Sequence, residues 1–142
     1  MPTREERNKA TVRRFQEALE GGTEATERII DEVFDPEVVI TSPLPIDATG
    51  PAALKEVFHR LHGAFPDLRV QVDDLIAEDD KVVARNVVTG THEGEFMGLP
   101  PTGRSVRYDE IFVVRFAEDR VVETWGVVDM ASLMRQMGLL PG

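Results

Sequence analysis

Near Leu68 the spacing of the apolar residues changes from a helical period to a period of two, and that change constrains the fold most. Before it, Val12, Phe15 and Leu19 recur at i, i+3 and i+7, and Ile29, Ile30 and Val33 share a second helical face. Leu54, Val57, Phe58 and Leu61 mark a third. Thr3 and Glu6 form a capping box for the first helix, and "EGG" at 20–22 stops it. Thr23 is the expected cap of the second helix, and Pro36 its end. "EVVIT" at 37–41 reads as a short strand, "SPLPIDATGP" as a loop, and Pro51 as the first turn of the third helix, which Gly63 closes. After Leu68, "LRVQVDDLIAE", "KVVARNVVTGTH", "RSVRYDEIFVVRF" and "VVETWGVVD" alternate as strands joined by short turns. Only "EGEFMGLPPTG" makes a long connection. Met130 to Met137 fits a last short helix with Gly138 at its C′ position. Helices followed by hairpin-joined strands predict an α+β fold, helices on one antiparallel sheet, with 1–142 as a single domain.

Charge narrows the partners. The formal net charge is −10 and the pI near 4.7, so a phosphate backbone is repelled and nucleic acid is not an expected partner. There is no cysteine, which rules out disulfides and thiolate chemistry and suits a reducing cytoplasm. The charged start, "MPTREERNKA", has no apolar run of a secretory signal, and nothing approaches the ~20 apolar residues of a membrane helix, so no membrane partner is expected.

"ETWGVVDM", Glu123 to Met130, holds the sole tryptophan and ends its strand in a carboxylate. Strand residues two apart share a face, so without a bulge Val121, Glu123, Trp125, Val127 and Asp129 point one way. Trp125 and Asp129 would then line one wall, and an apolar wall raises a carboxyl pKa toward the range useful for proton transfer. Asp129 also directly precedes a helix, where aspartate is a favoured N-cap. Both roles are open at this point, since a carboxylate base needs only to be ionised at rest.

"GTHEGEFMGLPPTGRSV", a strand ending "VVRF", "RVVETW" and "DMASLMRQMGLLP" occur in that order, with "AFPDLRVQV" before them. Together they resemble the SnoaL-like polyketide cyclase (ester cyclase) family, of the nuclear transport factor 2-like and ketosteroid isomerase-like superfamily, from about Asn8 to the C-terminus. The resemblance implies a cone: a strongly curved sheet wrapped around the N-terminal helices and one deep apolar pocket. It implies intramolecular aldol closure of a polyketide methyl ester without metal or cofactor. Its general acid/base is an aspartate just before the last helix, where Asp129 stands. The histidine that assists in the family has no counterpart in the strand 104–116, and His92 in "GTH" is the nearest candidate by sequence.

Other residues have two readings each. His59 and His62 share a helical face, but the H-E-x-x-H layout and a third metal ligand are missing, so no metal is expected, and His62 is assigned to the pocket border with Phe58. Phe15 joins them as a lining residue. Asn86 is either a polar residue on an exposed strand face or an amide donating to a substrate carbonyl. Arg115 is expected to pair with Glu123 across the hairpin. Arg107, Asp109 and Asp129 form a possible Asp–Arg–Asp group like that of the limonene epoxide hydrolases, although Tyr108 faces away from it. The loop carrying Phe96, Met97 and Leu99 needs covering, by this chain or a second subunit. The preferred reading is acid/base catalysis on a small, apolar, polyketide-like carbonyl compound by a homodimer or tetramer. The alternatives are a hydroxylation-type relative working with a reductase, the epoxide hydrolase, and a non-catalytic binder of apolar ligands.

Overall fold

A computed structural model describes residues 1–41, 46 and 48–141; half of the "SPLPIDATGP" loop lies outside the described residues. Helix α1 spans Arg4–Ala18, with Thr3 accepting from the Glu6 amide at 3.0 Å, as the capping pattern requires. A 3-10 turn, Leu19–Gly21, leads into α2, Gly22–Val33. This helix starts one residue before Thr23. Gly22 sits at φ 89, so the glycine itself makes the break, and no side chain caps the end. Strand β1 is Phe34–Ile40 and α3 is Pro51–Ala64. Then come β2 Arg69–Glu78, β3 Lys81–Thr91, β4 Ser105–Ala117, β5 Arg120–Val128 and α4 Met130–Gln136.

The sheet order is β1-β5-β4-β3-β2. β2 to β5 form an antiparallel meander, as the two-residue period predicts. β1 departs from that expectation, because it joins β5 in parallel. Its return to the sheet runs through α3 and three strands, so the hairpin rule does not govern its direction. β1 and β2 remain as edges, so the cone is an open curved sheet rather than a closed barrel.

Three register shifts interrupt the ladder, and one matters for the site. Between β4 and β5, Arg115 pairs with Glu123 but the next residue, Phe116, pairs with Val121. Val122 is thus extra, and side-chain parity reverses across it. Val121, Thr124 and Val128 face the helices, while Glu123, Trp125 and Val127 face out.

α1 packs on β2 and β3, α3 on β1, and α4 on β4, all on one face. Two apolar clusters result. Ile30, Val33, Phe34, Val82 and Val121 centre the first, and Phe65, Leu68, Val106, Leu133 and Met137 the second. Phe96 belongs to the second, 4% exposed, so this chain itself covers that part of the long loop. Met97 stays 51% exposed at φ 51.

Candidate active site

Between the helices and the inner sheet face lies a cavity reached by both clusters. It offers about 110 Å³ to the centres of water-sized molecules, several times what one water needs. Phe15 and Phe58 stand on its wall, ring centroids 5.8 Å apart in an edge-to-face pair. The wall is largely apolar because it is the shared inward parity of all five strands and the apolar stripes of α1 and α3.

One carboxylate breaks that pattern. Of the inward residues of β4, Tyr108, Glu110, Phe112 and Val114 line the cavity. Among the described residues Glu110 is the single charged group on this wall, and no cation accompanies it. Its register partners are Asn86 on β3 and Val128 on β5. Asn86 is fully buried and donates from Nδ2 to Glu110 Oε2 at 2.9 Å. Burial pushes the Glu110 pKa up, and the Asn86 hydrogen bond pulls it part of the way back. Glu110 retains partial accessibility although protein surrounds it, as a group facing an internal space does. Tyr108 is 5% exposed, and burial, reinforced by the Glu110 charge, pushes its pKa up, so its hydroxyl keeps its proton.

Asp129 stands between β5 and α4. Its carboxylate accepts from the Ser132 amide at 3.0 Å as the N-cap of α4, its own amide donates to the Asp109 carbonyl, and its side chain is exposed. Val128 and Met130, on either side of it, line the cavity, and Asp129 does not. Trp125 pairs with Val113 on the outer face and does not line the cavity either, because the bulge at Val122 reverses the parity on which the shared wall depended.

His92 is fully buried away from the cavity wall, with Nδ1 3.0 Å from the Thr102 hydroxyl and its ring against Phe65. It pins the two ends of the long loop together, since its amide also donates to the Arg104 carbonyl. His62 is half-buried beside Phe58, with Nε2 3.0 Å from the Leu19 carbonyl, and is not on the wall; His59 is exposed. Arg107 and Asp109 are exposed on the outer face, so the Asp–Arg–Asp group does not meet in the cavity. Arg115 and Glu123 pair at 3.1 Å, as expected.

The structure therefore assembles Phe15 and Phe58 on the cavity wall, with Asn86 behind it on Glu110. Asp129, His92, Trp125 and His62 stand elsewhere. Sequence reasoning passed over Glu110. The signal was present: in Y-x-E-x-F-x-V-x-F, residues 108–116, a glutamate occupies the parity of four large apolar residues.

A family model described as SnoaL-like polyketide cyclase matches residues 9–137. A curated relative, aklanonic acid methyl ester cyclase DauD of Streptomyces sp. (strain C5), is 26% identical over 131 residues, 89% of this chain and 79% of that protein. Among solved structures, AclR of Streptomyces galilaeus, a proposed hydroxylase, is 34% identical with a TM-score of 0.82, covering 94% of this chain and 97% of its own. TsrD of Streptomyces laurentii is 28% identical with a TM-score of 0.81, covering 99% of this chain and 100% of its own.

Proposed function

We propose, from the premise that this chain belongs to the SnoaL-like polyketide cyclase family, that it closes a ring in a neutral, polyketide-like carbonyl compound held in the cavity, with Glu110 as proton carrier. The observation that carries this reading is one carboxyl, fixed by Asn86, on a largely apolar wall that holds no cation among the described residues. A wall without a cation favours an esterified ligand over a free acid, since nothing there balances a second negative charge.

In this reading the ionised Glu110 takes a C–H proton next to a carbonyl. The Tyr108 hydroxyl donates to the enolate oxygen that develops. The enolate carbon bonds to a second carbonyl carbon of the same molecule, and the resulting alkoxide takes the proton back from Glu110. Nothing is oxidised or reduced, so acid/base groups suffice and no cofactor is invoked. Asn86 holds the carboxylate in place, and its hydrogen bond limits how far burial can raise the pKa.

The test uses aklanonic acid methyl ester, the compound in the DauD name. Glu110→Gln should lower ring closure by on the order of 10²–10⁴, the usual contribution of a placed acid/base group. An unchanged rate removes Glu110 from the chemistry. The family resemblance gives the same role to Asp129, and the wall positions of Val128 and Met130 favour that competing assignment. Asp129 would have to release the Ser132 amide and turn inward, so Asp129→Asn decides it.

A second reading is hydroxylation, favoured by the 34% identity to AclR. Product mass separates the two. Ring closure by aldol addition gives an isomer of the substrate, whereas hydroxylation adds one oxygen atom from dioxygen and needs a reductant to take the other to water.

The outer sheet face bears on assembly. Ile76, Ile111 and Val127 are 62%, 46% and 74% exposed there, with Trp125 between strands and the Arg85–Asp74 and Arg115–Glu123 pairs around them. A second copy covering this face would bury that apolar surface. Sedimentation at micromolar concentration should give a dimer or larger, and Val127→Asp should dissociate it. A monomeric wild type would refute the assembly.

A further inference from the structure

We infer that Gln16 of α1 is the second polar contact for the ligand, taking a hydroxyl remote from the reacting carbonyl. This rests on the reading of the cavity as a ligand site. Gln16 falls in the apolar stripe of its helix, four residues after Val12 and three before Leu19, and all three line the cavity. It is 7% exposed, and its Oε1 is buried without a hydrogen-bond partner. A buried amide left unpaired is destabilising, and a leucine or methionine would fill the same stripe without that cost. The ligand-free protein therefore carries a polar group that its own fold does not use.

The position of this amide defines what it recognises. It stands on the helical wall, whereas Glu110 and Tyr108 stand on β4. A ligand that meets both has polar groups on two sides of an apolar body. An amide offers one donor end and one acceptor end, and whichever way it is turned, a neutral hydroxyl can complement it. A charged group is disfavoured, because among the described residues no cation stands on the wall.

Two measurements test this together, on the wild type, Gln16→Leu and Glu110→Gln, with naphthalene and 2-naphthol as fluorescent probes. Wild type should bind both and prefer 2-naphthol. Gln16→Leu should weaken 2-naphthol by about 3–10-fold and leave naphthalene unchanged or tighter. The same substitution should raise the melting temperature of the ligand-free protein by about 2–6 °C, because an unpaired buried amide is replaced by an apolar side chain. A lowered melting temperature, or an unaltered preference for 2-naphthol, overturns the assignment. Failure of wild type to bind either probe overturns both this assignment and the cavity reading. The proton-carrier role of Glu110 fails separately: full ring-closure activity in Glu110→Gln would remove that role and leave Gln16 standing.

Discussion

Two carboxylates lie within one strand spacing of each other and meet opposite fates. Glu110 pairs in register with Val128, and the residue after Val128 is Asp129. Glu110 points inward from the middle of β4, where burial raises its pKa. Asp129 sits at the end of β5, exposed and engaged with the first turn of α4. Proximity in the sheet therefore says little about chemistry, and parity says most. A helix start suits an ionised carboxylate at small cost, while a strand interior facing a cavity penalises the same charge and so makes it reactive.

The largest expected effect that would break this contrast is catalytic. Glu110→Gln should lose on the order of 10²–10⁴ in kcat/KM, while Asp129→Asn stays within about 3-fold of wild type. Equal losses would place both carboxylates in one mechanism.

Next in size is a packing effect on the same strand pair. Gly126 faces inward opposite Phe112, and a Cβ there would meet the Phe112 ring and lie 2.6 Å from the Ile111 carbonyl oxygen. Gly126→Ala should cost about 1–3 kcal/mol in chemical denaturation, the range for overpacking a core. A stability within 0.5 kcal/mol, about the size of a neutral surface change, would mean that the inner face yields more easily than this account holds.

Capping is smaller. Asp129→Ala should cost about 1 kcal/mol, and Asp129→Asn a few tenths, since asparagine caps as well as aspartate. A loss on Asn as large as that on Ala would show that charge, not the hydrogen bond to Ser132, is what α4 requires.

The pH dependence of stability sharpens the contrast further. The folded-state pKa of Glu110 is raised, so the fold binds its proton more tightly than the unfolded chain does. Its contribution is present in full below the unfolded value, near 4.3, and is lost as pH rises through the folded value. Glu110→Gln removes that loss. Its melting temperature should therefore gain on wild type as pH rises from below 4 toward neutrality. A gap that stays constant with pH would contradict the burial argument.

Much of this fold was legible in the sequence because periodicity is local. The period change at Leu68, the Thr3 cap and Gly138 at φ 86 all appear where the pattern put them. The α4 start at Met130 followed from Asp129 as a cap. The parallel pairing of β1 was not legible, because nothing in "EVVIT" encodes which neighbour it joins. Nor was the bulge at Val122, since "RVVETW" alternates as plausibly without it. That one extra residue moved Trp125 and Asp129 to the wrong face for a shared wall. Glu110 and Gln16 were readable as polar residues in apolar parities, but only a cavity gives such positions a meaning.

The most direct test of the central claim is the pH profile of kcat/KM for ring closure in wild type, Glu110→Gln and Asp129→Asn. Wild type should show an ascending limb with its midpoint above the ordinary glutamate value, because the ionised, buried Glu110 is the base. That limb should persist in Asp129→Asn and vanish in Glu110→Gln. A limb that vanishes in Asp129→Asn and survives in Glu110→Gln would assign the chemistry to the strand end and contradict the account.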